Sequence, residues 1–243
     1  MGNALEHSHD EQAIRARLAR GPRSNYLGDW TYGGIDGAVT TFSIVAGVAG
    51  ADLPASVVLL LGFANLVADG FAMAAGNYIG TKAERDDYER VIDIEHRHIA
   101  QVPDGEREEI RQIFSGKGFV GDDLRRIVAV ITSDQGLWAK TMAVEEYGLP
   151  PNPKSPTLAA LNTFIAFVMC GLVPLATYLS PGALATCATA TGVAFFGIGA
   201  IKSRWALAAW WRSGLETFFI GMAAAALAFA VGFSVRTLFN IPA

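Results

Sequence analysis

The chain has 243 residues, 51% of them hydrophobic and 17% charged, with a formal net charge of −4; a soluble domain carries about 25% charged residues. This composition excludes a chain disordered throughout, because apolar material for a core is plentiful, and its acidic balance argues against nucleic-acid binding. Two cysteines in 243 residues exclude a disulfide-stapled scaffold.

The charges are segregated. Residues 82–154 hold 26 of them, residues 157–201 and 217–235 hold none, and residues 37–68 hold only Asp52. Helices of a soluble protein need a solvated face, whereas an apolar run of about 20 residues crosses a bilayer. The sequence therefore predicts an all-α, polytopic membrane protein. It has five transmembrane helices and a three-helix cytosolic metal-binding domain inserted between spans 2 and 3.

In chain order, residues 1–28 form a polar N-terminal segment whose charged opening lacks the apolar core of a signal peptide. His7, His9 and Asp10 in it read as an exposed polar tail rather than a metal site. Residues 29–81 hold two spans, about 30–51 and 55–80, separated by an Asp52-Leu53-Pro54 turn. Residues 82–155 form the insert, with helices expected over 82–101, 104–115 and 121–147. Pro103, Gly116, Gly118 and Gly148 supply the breaks. Residues 156–243 hold spans over 157–179, 183–201 and 213–236, with Ser180-Pro181-Gly182 dividing the first pair.

Arg15, Arg17, Arg20 and Arg23, the insert, and Lys202, Arg204 and Arg212 all fall on one side of the bilayer. The positive-inside rule places that side, with the N-terminus, in the cytosol. Arg236 is an exception and reads as snorkelling. Trp205, Trp210 and Trp211 suit the headgroup level. Cys170 and Cys187 read as small packing residues.

An ionisable residue at membrane depth is costly and marks function. Asp36 and Asp69 qualify; Asp52 and Glu216 lie near span ends and read as interfacial. Gly33, Asp36, Thr40, Ser43, Gly47 and Gly50 form one small, polar stripe. It is either a close-packing face or the lining of a polar path, and the carboxylate favours the path. Asn65, Asp69 and Met73 follow at i, i+4, i+8. Carboxylate and thioether together suit a transition metal such as Fe²⁺.

In the insert, Glu95 and His98, Glu106 and Glu109, and Met142 and Glu146 are each spaced to share a helical face. Glu-x-x-His is also a ligand unit of di-iron bundles. The competing reading is a set of solvated acidic faces balanced by Arg97, Arg107 and Arg111.

Several segments together carry a resemblance. They are DWTYGGIDGAVTTFSIVAG in the first span, FANLVADGFAMAAGNYIGTKAERDDYE in the second, the Val102-Pro103-Asp104-Gly105-Glu106 step, WAKTMAVEEYGLPPNP, and GLVPL at 171–175. The chain resembles the vacuolar iron transporter family over about 29–239. That resemblance implies a homodimer, five spans per subunit, that exports Fe²⁺ or Mn²⁺ from the cytosol in exchange for protons. It implies Asp36 and Met73 as transmembrane metal ligands, with Asp29 near the cytosolic mouth. Glu95, His98, Glu106, Glu109, Met142 and Glu146 fall on the family's cytosolic metal positions.

Three positions depart from the family pattern. Asn65 stands where a glutamate is common, and Asp69, one turn on, is placed to supply the carboxylate. His98 replaces a glutamate and Ala143 a methionine. The expected path is thus Asp29, Asp36, Asn65, Asp69 and Met73.

The expected partners are divalent metal ions, protons and the lipid bilayer. Zn²⁺ and Co²⁺ are further possible ions, and no organic cofactor is expected. The host is the plasma (inner) membrane in a bacterium and a vacuolar-type membrane in a eukaryote. No phosphate-binding Gly-rich loop points to ATP as a drive. Two other readings are a membrane-anchored di-iron oxidase and a metal-sensing interaction module. The first is disfavoured because the insert has one Glu-x-x-His where two are usual; a transporter rather than an enzyme is expected.

Overall fold

Inside a bilayer every backbone polar group must find its partner within the protein, which leaves helix as the natural spanning structure. The computed structural model describes residues 8–19, 21, 24–178, 183–205 and 207–239, and among them it contains no strand. The helices are α1 (Glu11–Ala19), α2 (Leu27–Gly50), α3 (Ala55–Gln101), α4 (Pro103–Gly116), α5 (Gly121–Ile131), α6 (Gln135–Glu145), α7 (Pro156–Thr177), α8 (Ala183–Lys202) and α9 (Trp210–Phe239). Five of them, α2, α3, α7, α8 and α9, are long and apolar enough to cross a membrane. The expected Ser180-Pro181-Gly182 turn, and His7, Arg20 and Arg23, lie outside the described residues.

The chain divides into two compact units. One holds Tyr26–Thr81 and the residues from Ser155 onward; the other holds Lys82–Lys154 and the residues before Tyr26. In the first, α2 packs against α7, α8 and α9. Glycine makes this possible. A Cβ on Gly33 would lie 2.3 Å from the Thr163 carbonyl oxygen of α7, one on Gly37 2.2 Å from that of Phe167, and one on Gly232 2.0 Å from that of Gly47. Small residues let helix backbones approach this closely in a membrane. The six-residue stripe of α2 is therefore not one continuous polar lining. Gly33 packs against α7, and Gly47 and Gly50 against α9. Asp36, Thr40 and Ser43 remain as its half-buried polar members.

The end of α2 shows how local chemistry sets the turn. Asp52 takes a left-handed conformation (φ 57°), and the Leu53 N–H returns to the Val48 carbonyl at 3.1 Å, a Schellman-type stop. Asp52 also pairs with Arg236 at 3.0 Å. Arg236 thus has a carboxylate partner at the end of α2. Cys170 and Cys187 carry no bridge, and buried Cys187 bonds the Pro174 carbonyl at 3.2 Å.

In the charged unit, the end of α3 and helices α4, α5 and α6 share an apolar core that includes Ile99, Ile110, Val128, Ile131, Trp138 and Met142. The single helix expected over 121–147 is two helices. Ser133 Oγ donates to the Val130 carbonyl at 2.7 Å, and Asp134 Oδ1 accepts the Leu137 N–H at 2.7 Å. That carboxylate N-caps α6 and makes a fresh start cheaper than continuation. Asp10, exposed as expected, does the same for α1, accepting the Ala13 N–H at 2.8 Å.

Gly37→Ala should therefore lower the thermal stability of the detergent-solubilised protein, by about 1–3 kcal/mol for an overpacked contact. Gly76→Ala, whose Cβ meets nothing within 4 Å, should not. Equal losses in the two variants would contradict the close-packing account.

Candidate metal site

The charged unit brings three of the expected ligands together. On α3, Glu95 and His98 sit one turn apart. The helix ends at Gln101, the Val102 N–H closes on the His98 carbonyl at 2.8 Å, and Pro103 opens α4 at a position where its missing N–H costs nothing. The Glu106 N–H bonds the Val102 carbonyl at 3.2 Å, completing the corner. His98 Nδ1 and Glu106 Oε1 are then 3.3 Å apart. One ligand atom from each of Glu95, His98 and Glu106 lies within 4.8 Å of the others.

Burial gives the trio its chemistry. Glu95 is 1% exposed and Glu106 3%, while His98 is open to solvent on one side. Glu95 Oε1 accepts the Tyr147 hydroxyl at 3.2 Å. Oε2 of Glu95 and Oε2 of Glu106 are buried with no hydrogen-bond partner. A buried carboxylate without a partner is expensive. Burial first, then the charges of Glu109 and Glu95, push the Glu106 carboxyl up to about 7. Glu146 is also raised, by burial and then by Glu109 and Glu95, with His98 opposing. A divalent cation among these oxygens would replace the proton and satisfy both orphaned atoms. Two carboxylates and an imidazole are a donor set suited to a transition metal.

The remaining expected residues of this unit divide. Glu109 and Glu146 are exposed and act on Glu106 electrostatically. Glu146 caps the end of α6. Met142 is fully buried in the apolar core beside Ile110 and Trp138, one turn before exposed Glu146. Helical spacing does not point to Tyr147; its signal in the sequence is its position directly after the Glu145-Glu146 pair.

In the membrane unit, Asp36, Asn65, Asp69 and Met73 are all half-buried. Asp69 lies within electrostatic reach of Asp36. Asn65 Nδ2 donates to Thr40 Oγ1 at 3.2 Å and to Thr41 Oγ1 at 3.4 Å, so its amide joins α3 to α2. Met73 packs against the cluster that holds Phe42 and Phe167. Asp29 Oδ1 accepts from Asn77 Nδ2 at 3.0 Å, and the same Nδ2 lies 2.7 Å from Thr163 Oγ1. Asn77 continues the Asn65, Asp69, Met73 spacing by one further turn, the signal in the sequence that points to it.

Comparison with known proteins gives a consistent result. The VIT family profile matches residues 27–233. The chain is 32% identical over 239 residues to Vacuolar iron transporter 1 of Oryza sativa subsp. japonica, covering 96% of this chain and 93% of that protein. It is 31% identical to Vacuolar iron transporter 1 of Eucalyptus grandis, covering 83% of each. A third relative, the Vacuolar iron transporter of Toxoplasma gondii (strain ATCC 50861 / VEG), is 36% identical over 180 residues, 73% of this chain and 56% of that protein.

The raised Glu106 carboxyl makes a stability prediction. Its ordinary value is 4.5 and its value in the fold about 7. Between these the folded chain holds a proton that the unfolded chain has released, so metal-free stability falls as pH climbs through that window. Thermal melts in detergent should show a lower midpoint at about pH 8 than at about pH 5. Glu106→Gln should flatten the slope and melt higher than wild type at the upper pH. An unchanged slope in that variant would remove Glu106 as its cause.

Proposed function

The chain belongs to the VIT family and is a multi-pass membrane protein of metal transport, and from that premise we propose that it moves Fe²⁺ out of the cytosol in exchange for protons. Mn²⁺ is the second candidate cargo. The observation that carries this reading is the Glu95, His98 and Glu106 trio, with one buried and unpartnered oxygen on each carboxylate. Such a site gains most from a small divalent cation. Residues 82–155 are the collecting domain, with Glu109 and Glu146 adding negative potential at its rim.

Within the membrane, Asp36, Asp69 and Met73 carry the ion, with Asp29 at the cytosolic mouth. Asn65 contributes an amide in place of a charge, which leaves Asp69 as the second carboxylate of the path. A carboxylate binds either a proton or a metal ion, so one side chain performs exchange without further machinery. Protons arriving from the far side compete for the same oxygens and release the metal. The lysine and arginine distribution supports a cytosolic N-terminus and insert, and the family resemblance supports a homodimer. The host membrane is the plasma (inner) membrane or a vacuolar-type membrane.

Purified protein in vesicles with an acidic interior tests this directly. Wild type should accumulate Fe²⁺ and dissipate the pH gradient together. Asp36→Ala should abolish both while remaining folded, and Glu106→Ala should raise the KM for Fe²⁺ by about tenfold or more with a smaller change in maximal rate. Undiminished Fe²⁺ uptake by Asp36→Ala would sink the assignment of the path.

A further inference from the structure

We propose that Tyr147 is a positioning residue that restricts Glu95 to a single ligating oxygen and so tunes the trio toward small transition-metal ions and away from Ca²⁺; this rests on the reading of Glu95, His98 and Glu106 as a metal site. The two oxygens of Glu95 are not equivalent. Oε1 receives the Tyr147 hydroxyl at 3.2 Å from 52 residues away in the sequence. Oε2 is buried with no hydrogen-bond partner. A phenol has one proton to give, and here it engages Oε1, which leaves Oε2 as the oxygen of Glu95 without a hydrogen-bond partner.

The tyrosine is held where this matters. It follows α6 directly, and the Leu149 N–H returns to the Ala143 carbonyl at 3.0 Å. Gly148, at φ 68°, turns the chain away. The backbone on both sides of Tyr147 is thus fixed, while the ring itself is 40% exposed and not part of the core. Removing the hydroxyl therefore deletes one hydrogen bond without opening a cavity. The consequence is chemical. Ca²⁺ takes six to eight oxygens and accepts bidentate carboxylates readily, in a flexible shell. A single oxygen from Glu95 beside an imidazole serves a smaller ion with few ligands. Hydrogen-bond partners of a metal ligand set its orientation, and their loss typically weakens metal binding by about 10–100-fold.

The test is isothermal titration of the full-length, detergent-solubilised protein with Co²⁺, an air-stable substitute for Fe²⁺, and separately with Ca²⁺. It compares wild type, Tyr147→Phe, Glu95→Ala and the double variant. Tyr147→Phe should raise the Co²⁺ Kd by about 10–100-fold and narrow the preference for Co²⁺ over Ca²⁺. In the Glu95→Ala background the same change should have no further effect. Unchanged Co²⁺ affinity in Tyr147→Phe, or an equal loss for Co²⁺ and Ca²⁺, would overturn the positioning role while the trio stands. Undiminished Co²⁺ binding by Glu95→Ala would instead overturn the trio, and the inference with it.

Discussion

Glu95 and Glu106 are carboxylates folded into the interior of a small helical unit, 1% and 3% exposed, each with an oxygen that no protein group satisfies. Burying charge without a partner opposes folding, so the arrangement is stable only if something neutralises it. Glu106 responds by holding its proton up to about pH 7. Tyr147 relieves one oxygen of Glu95, and His98 stands 3.3 Å from Glu106. What is left over is a set of ligand atoms within 4.8 Å of one another, which a divalent cation would complete. The corner at Val102-Pro103 exists to bring α3 and α4 to that geometry, and the core of Ile99, Ile110, Trp138 and Met142 beneath holds it in place.

The membrane unit solves a different problem with the same currency of close contact. Its helices have no hydrophobic drive to associate within lipid, so they rely on backbones that touch. Gly33 and Gly37 seat α2 on α7, and Gly232 seats α9 on Gly47. Polar bridges then tie α3 in, through Asn65 to Thr40 and Thr41 and through Asn77 to Asp29 and Thr163. Against this nearly charge-free background Asp36 and Asp69 stand out as the groups able to hold an ion or a proton at depth.

Much of this was legible in the sequence because charge segregation is a global signal. A run of 45 uncharged residues at 157–201 admits little but a pair of membrane spans, and the nearly charge-free stretches 37–68 and 217–235 add the other three. Pairs within one helix were legible too: Glu95 with His98 needs only the helical period. What spacing could not reach were contacts between elements. The union of Glu106 with His98 depends on the angle of a corner, and the Asp52–Arg236 pair on two helix ends far apart in the chain. Periodicity pairs Met142 with Glu146 but does not say which face is inside, and Met142 is buried in the core. The break at 132–134 was written in the sequence as Ser133-Asp134, a capping signal outweighed by the apolar period around it. The glycines of α2 fit both packing and a polar path, and only the proximity of the Thr163 and Phe229 carbonyls decides between them.

A metal ion that replaces a proton among buried carboxylates must release that proton to solvent. The most direct measurement is the number of protons liberated per Co²⁺ bound by the full-length protein at about pH 6, followed with a pH indicator in weak buffer. With Glu106 protonated up to about 7, wild type should release about one proton per ion more than Glu106→Gln does. Stoichiometric Co²⁺ binding with no proton release at that pH would contradict the account.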